Sequence, residues 1–138
     1  MSKFYDWLHD ELMKIDDWNE REAFQRKAIR DHNYSLKEGD HCHKVCWSDI
    51  EPFTVVRRTK TKIVVRADKA EWKDWKPEWV AGGFSAICTN IHEQEWDIQE
   101  DPNGHIEEFR WSEKYGVFKN KAGERLHPEW KKYYDYNF

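Results

Sequence analysis

Four groups of residues have types and spacing that suit chemistry. The first is Cys42, Cys46, Cys88 and His92, with His41 and His43 near enough in sequence to replace a ligand. Three thiols and an imidazole are a donor set that zinc accepts in tetrahedral geometry. The spacing fits poorly, because each pair leaves three intervening residues, where paired zinc cysteines commonly leave about two. The plainer reading makes Cys42, Cys46 and Cys88 small buried hydrophobes. No cofactor is therefore expected, and zinc on this set is the alternative.

The second group is acidic and imidazole: His92, Glu93, Glu95 and Asp97, with Ser48, Asp49 and Glu51 earlier. General acid–base work needs two ionisable groups converging on one substrate atom, and nothing in this spacing compels that. Gly82-Gly-Phe-Ser85 lacks the glycine after serine that a nucleophile elbow requires. No catalytic residue is assigned. A zinc- or carboxylate-dependent hydrolase using His92 and Glu93 is the remotest alternative.

The third group is basic and aromatic. Residues 57–73 carry seven basic side chains against two acids, and Trp72, Trp75, Trp79 and Gly82-Gly83 follow. Arginine and lysine contact phosphates, indoles give bases a stacking platform, and amides of a glycine turn can nest an anion. Arg57, Arg58, Lys62 and Arg66 with Trp72 or Trp75 would hold a nucleotide or a short single strand. Against this, the indoles could simply pack on a sheet while the lysines stay in water. The fourth group reverses the sign. Residues 93–113 carry eight acids and Arg110 as the single base, interleaved with Trp96, Phe109 and Trp111. Glu95, Trp96, Glu107, Glu108 and Phe109 would form an acidic aromatic face that docks on a host protein by mimicking nucleic acid. Plain strand alternation, with Trp96 and Ile98 inward and acids outward, explains the same pattern. If the two charged segments lie apart, the domain is electrically bipolar.

The elements that must position these groups change character near residue 40. Phe4, Leu8, Leu12 and Ile15 lie on one helical stripe. Asp17 with Glu20 resembles a capping box that opens a second helix from Trp18 to about Arg30, after a break at Asp16–Asp17. Residues 31–40 read as a polar connection ending in a turn at Glu38-Gly-Asp40. Thr54–Arg58 and Lys62–Arg66 read as a hairpin with both faces mixed. The segment 71–79 has no strict period and reads as a loop or single helical turn. Phe84–Cys88, Glu95–Glu100, His105–Trp111 and Tyr115–Lys119 are further strand candidates, with a strong turn at Asp101-Pro-Asn-Gly104. The tail from Trp130 is too aromatic to stay solvated and should dock. The expected architecture is α+β: a helical segment over 1–40, one helix or a pair, then over 41–138 a small SH3-like antiparallel barrel of five or six strands, in one cooperative unit.

Composition limits the rest. The apolar fraction is 38%, yet nine Trp, six Tyr and seven Phe supply large rings for a core. A net charge of −4 argues against a general nucleic-acid coat and leaves nucleic acid possible but not favoured. No run approaches the roughly 20 apolar residues of a membrane helix. Three cysteines, an odd number, and a start without an apolar run point to a reducing cytoplasm rather than disulfides.

Trp47-Ser-Asp49, Gly82-Gly-Phe84 leading to Cys88-Thr-Asn90 and Gln94-Glu-Trp96, and the closing Tyr133-Tyr-Asp-Tyr-Asn-Phe138 resemble small phage and prophage proteins of unassigned activity. The likeness covers about residues 40–138. It implies an accessory protein of phage or mobile-element origin, and by analogy a counter-defence factor in the host cytoplasm. It also adds Trp47 and Asn90 as pocket candidates. The expected function is non-enzymatic sequestration of an anionic, nucleotide-like host ligand. Binding of a host protein through the acidic face is the rival, and self-association is open.

Overall fold

The computed structural model describes residues 3–82 and 85–137. Two helices, α1 (Lys3–Met13) and α2 (Trp18–Tyr34), precede ten strands. These are β1 (His41–Cys46), β2 (Asp49–Arg58), β3 (Lys62–Ala67), β4 (Lys69–Trp72), β5 (Trp79–Gly82), β6 (Ser85–Cys88), β7 (Trp96–Gln99), β8 (Ile106–Ser112), β9 (Val117–Lys119) and β10 (Arg125–Pro128). Six of them close into an antiparallel barrel in the order β1-β10-β9-β8-β3-β2, while β4–β7 and β5–β6 form separate two-stranded sheets. The helix pair followed by a barrel of six strands is the α+β architecture that the pattern predicts.

The helices break where the charges predict. Asp17 caps α2 by accepting from the Glu20 amide at 3.1 Å. Leu8 is buried, and Phe4, Leu12 and Ile15 are partly covered. One boundary differs: α2 runs past Arg30 to Tyr34, so the first part of the predicted connection is helix. That extra turn closes one end of the barrel. Asn33 is buried and donates to the Gly116 carbonyl at 3.0 Å, and the Tyr34 ring meets Trp111 edge-on and lies parallel to Phe118. A turn that packs through Asn and Tyr carries no apolar period, so the pattern reads as loop.

Inside the barrel, Cys42, Phe53, Val55, Ile63, Val65, Phe109, Phe118 and Leu126 are almost wholly buried, and Leu36 seals the α2 end. The β2–β3 hairpin is as predicted, but its faces are not both mixed, since Val55, Ile63 and Val65 all point inward. A bulge between Val55 and Arg57 shifts the alternation, because the extra residue in one strand re-aims the side chains beyond it. The Asp101–Gly104 turn also forms, with Gly104 N–H donating to the Asp101 carbonyl at 3.1 Å. It does not make a hairpin: β7 pairs with β4, and β8 with β3 and β9. Gly104 is required there because a Cβ would stand 1.9 Å from the Ala67 carbonyl oxygen. The loop expected at 71–79 begins as strand, and β10 is a strand that the sequence pattern does not announce.

A second cluster lies outside the barrel. Trp75, Cys88 and Ile91 are buried there, with Tyr133 and Tyr136 packed against them. The tail docks as predicted: Ile50 and Tyr133 exchange backbone hydrogen bonds, and the Asn137 side chain accepts from the Cys88 amide and donates to its carbonyl. Among the described residues no helix is long and apolar enough to cross a membrane.

Candidate anion-binding face

The barrel register brings together cations that are scattered in sequence. Lys62 on β3 is the cross-strand partner of Arg110 on β8, Arg110 of Lys119 on β9, and Lys119 of Arg125 on β10. Their neighbours Ile63, Phe109, Phe118 and Leu126 fill the interior. Strand alternation therefore turns all four cations to the outer face. Directly opposed like charges destabilise a sheet, so the row has a cost. Glu108 offsets part of it, 3.7 Å from both Lys62 Nζ and Arg110 Nε. Among the described residues neither Lys119 nor Arg125 forms an ion pair. Both lie against the exposed ring of Tyr115, at 4.3 and 5.1 Å from its centroid, with Lys114 at 5.2 Å. An open groove of about 890 Å³ runs over this region, with Arg110, Lys119, Lys121 and Trp111 and the acids Glu107 and Glu108 among its walls.

Val45 continues the row on β1 as the partner of Arg125. Two residues further, Trp47 occupies the two-residue turn between β1 and β2. Its side chain is 94% exposed and its backbone has φ +49°. Hairpin turns of this length place Gly, Asn or Asp at positive φ, and a bulky residue there is an outlier. An indole held in solvent on a strained turn gains nothing in packing.

The inner face of the same strands is built differently. Lys44 donates to both carboxylate oxygens of Glu107, at 3.1 and 2.9 Å, and lies 3.6 Å from Glu124. Its ammonium also sits 5.4 Å from the Phe53 ring centroid. The side chains of Lys44 and Glu107 keep 13% and 19% of their exposure, so the pair is largely desolvated. Burial pulls the Lys44 pKa down, but the hydrogen bond and charge of Glu107 outweigh it and the net direction is up. The Cys46 hydrogen bond holds Glu124 below its ordinary value. Burial, and then that same bond, push the Cys46 thiol up to about 12. A protonated lysine and a protonated thiol offer no nucleophile near neutrality, so this cluster is a polar plug in the barrel. Nearby, His43 and His127 are cross-strand partners with ring centroids 5.7 Å apart. Burial lowers both pKa values, that of His127 to about 4 with further help from His43, Arg125 and Lys131.

The residues predicted from sequence divide. Lys62 joins the row, and Arg57 is exposed beside it in a small cleft with Val64 and Glu108. Arg58 is committed elsewhere: it donates to the carbonyls of Tyr34 and Leu36 and lies over the Tyr34 and Phe118 rings, so it caps α2. Arg66 pairs with Glu100 at 3.3 Å. Trp75 is buried and donates to the Asn90 carbonyl, and Trp72 donates to Tyr136 Oη at 2.9 Å. Asn90 ties Lys76 and Glu78 together. Trp75 therefore belongs to the second cluster and the basic hairpin to the barrel, while Trp72 stays half exposed and lines an open cleft with Asp74, Trp75 and Lys76. Gly83, half of the predicted glycine nest, and Phe84, the first residue of the predicted strand, lie outside the described residues.

The condition for a bipolar domain, that the two charged segments lie apart, is not met. β3 pairs with β8 and β4 with β7, so the basic and acidic segments are adjacent strands and the domain is not bipolar. On the acidic face Phe109 is fully buried and Glu107 turns inward to Lys44. Glu95 and Glu108 stay exposed, and Trp96 is half-buried, bonded to Gln94 beneath Lys132. The zinc set is not gathered: Cys42 lies in the barrel core, Cys88 in the second cluster, and His92 on an exposed 3-10 turn. Among the described residues no group of three or more His, Cys, Asp or Glu is placed to hold a metal ion.

Arg110, Lys119 and Arg125 are the residues that sequence reasoning misses. The available signal is their position next to Phe109, Phe118 and Leu126, but it becomes legible only once β10 is recognised as a strand. Some of the residues that carry the phage resemblance gather around the tail, while Trp47 stays in solvent at the β1–β2 turn. Asp49 accepts from the Asp135 amide, Cys88 meets Asn137, and Gln94 bonds the Tyr134 backbone, so they hold the tail. No protein-family model, curated protein or solved structure matches the chain.

Proposed function

We propose that the chain is a non-enzymatic binding module for a phosphate-rich, nucleotide-like ligand, held on the outer face by Lys62, Arg110, Lys119 and Arg125. One observation carries this reading: four consecutive strands each present a cation in the same cross-strand row, two of them without an ion pair among the described residues. Repulsion within such a row is relieved by a multiply charged anion, and the groove beside it is open enough to admit one. The resemblance to phage proteins supports an accessory role in which the host ligand is sequestered in the cytoplasm. The basic hairpin contributes Lys62 and Arg57 to this site, in place of the full predicted set.

The test is titration calorimetry with inorganic tripolyphosphate and a nucleoside triphosphate at low salt. Both should bind, and the Arg110→Glu/Lys119→Glu double variant should lose at least tenfold in affinity. Absence of binding by the parent protein sinks the proposal.

A further inference from the structure

Resting on that reading, we infer that the ligand is a short single strand of nucleic acid, with its phosphates along the row and one base stacked on Trp47. Two features point past a free nucleotide. The first is length. Neighbouring strands stand about 4.8 Å apart, so the row from Lys62 to Arg125 spans roughly 14 Å, more than a single phosphate can neutralise. The second is the indole beyond its end. Trp47 follows Val45, the residue in register with Arg125, by two positions, or about 7 Å of strand. Among the described residues it is the most exposed of the large apolar side chains, at 94%, and its φ of +49° is a conformation aromatic residues avoid. Strained backbone persists where the surroundings over-determine it, and such sites cluster at ligand clamps.

The surroundings of Trp47 do over-determine it. Cys46 before it is held in the hairpin as the cross-strand partner of Asp49. Asp49 after it accepts from the Asp135 amide at 2.8 Å, and Glu51 pairs with Lys132 at 3.3 Å. The turn is therefore anchored on both sides, and the indole is presented on a fixed base. Single-strand binders combine a cationic track with aromatic platforms, and stacking is tolerant of sequence because every base has a π-face. The arrangement fits a strand bound without base-edge readout.

The experiment compares two probes on the full chain: a fluorescein-labelled eight-nucleotide oligothymidylate and inorganic polyphosphate of similar charge. Anisotropy should show oligonucleotide binding whose logarithmic salt slope is about −3, as four phosphate contacts on a single strand require. Trp47→Gly removes the indole and suits the positive φ, so the variant should melt no lower than the parent. It should weaken oligonucleotide binding roughly 5- to 150-fold and leave polyphosphate binding unchanged. If polyphosphate binds but Trp47→Gly leaves the oligonucleotide affinity intact, the single-strand inference is overturned and the anion-binding reading survives. If neither probe binds, both fall.

Discussion

The inner and outer faces of strands β8, β9, β10 and β1 handle charge in opposite ways. Inside, Lys44 is matched by Glu107 and Glu124 within hydrogen-bonding or near-contact distance, and little of it reaches water. Outside, Arg110, Lys119 and Arg125 stand beside one another with like charge, and among the described residues Glu108 alone answers part of the row. The residues alternate along the same strands, so both faces share one backbone and one set of ladder bonds. A matched, desolvated charge is explained by the fold that encloses it. An unmatched row on a solvated face is not, and that asymmetry is the reason to look for function outside the barrel.

The largest effect belongs to the inner face. Lys44→Met removes the ammonium that Glu107 and Glu124 share, leaving Glu107 with the His105 ring nitrogen at 2.7 Å and Glu124 with the Asn120 amide at 2.8 Å. Loss of one partner from a buried pair costs about 3–5 kcal/mol, and the residual exposure here reduces that to roughly 2–3 kcal/mol. Urea denaturation should show the loss, and Lys44→Met/Glu107→Leu should recover much of it, because well-packed apolar pairs replace buried ion pairs at little cost. If Lys44→Met is neutral, the plug is solvated and the contrast between the faces collapses.

Acid tests the same strands from their histidines. His127 has a folded pKa of about 4, below the ordinary value of about 6.5 expected in the unfolded chain, and His43 is shifted in the same direction. Between those values the unfolded state binds more protons. Stability is therefore complete above about pH 6.5, falls as pH drops towards 4, and levels off below. Since the His127 ring keeps some exposure, the loss is roughly 2 kcal/mol rather than the full shift. Melting temperature measured from pH 7.5 to 4 should decline for the parent chain and decline less for His127→Gln. An equal slope in both would place the acid-sensitive group elsewhere.

Legibility in the sequence depends on which interactions are local. The Asp17 cap, the β2–β3 hairpin and the docking tail are signalled by neighbours in sequence or by bulk apolarity, and all three are present. The row is not local: Lys62 and Arg125 are brought to one face by three strand pairings. Arg110 is the clearest case. In sequence it is one base among eight acids, and it reads as an exception to an acidic face. In the barrel those acids are dispersed: Glu107 turns inward, Glu95 and Asp97 lie outside the barrel, and Arg110 faces cations. Trp47 shows the reverse. Its resemblance motif marks it, but only the backbone shows that it is strained and solvent-facing while Trp75, equally marked by composition, is core.

The smallest stability effect discriminates best, because its sign is opposite to that of its effect on binding. Arg110→Glu replaces two like-charge oppositions, with Lys62 and Lys119, by two favourable ones, each worth about 0.2–1 kcal/mol. The lost Arg110–Glu108 contact, long and exposed, offsets a few tenths of that. Denaturant midpoint should therefore rise slightly, by well under 2 kcal/mol in free energy, while affinity for tripolyphosphate falls. Arg110→Gln should show a smaller rise, and in an Arg110→Gln/Lys119→Gln cycle the two gains should not add, since each removes the same repulsion. A fold that becomes more stable as it loses its ligand is the signature of a site maintained against the interest of the sheet. If Arg110→Glu destabilises the barrel instead, the row belongs to the architecture, and the outer face is no more a binding site than the inner one.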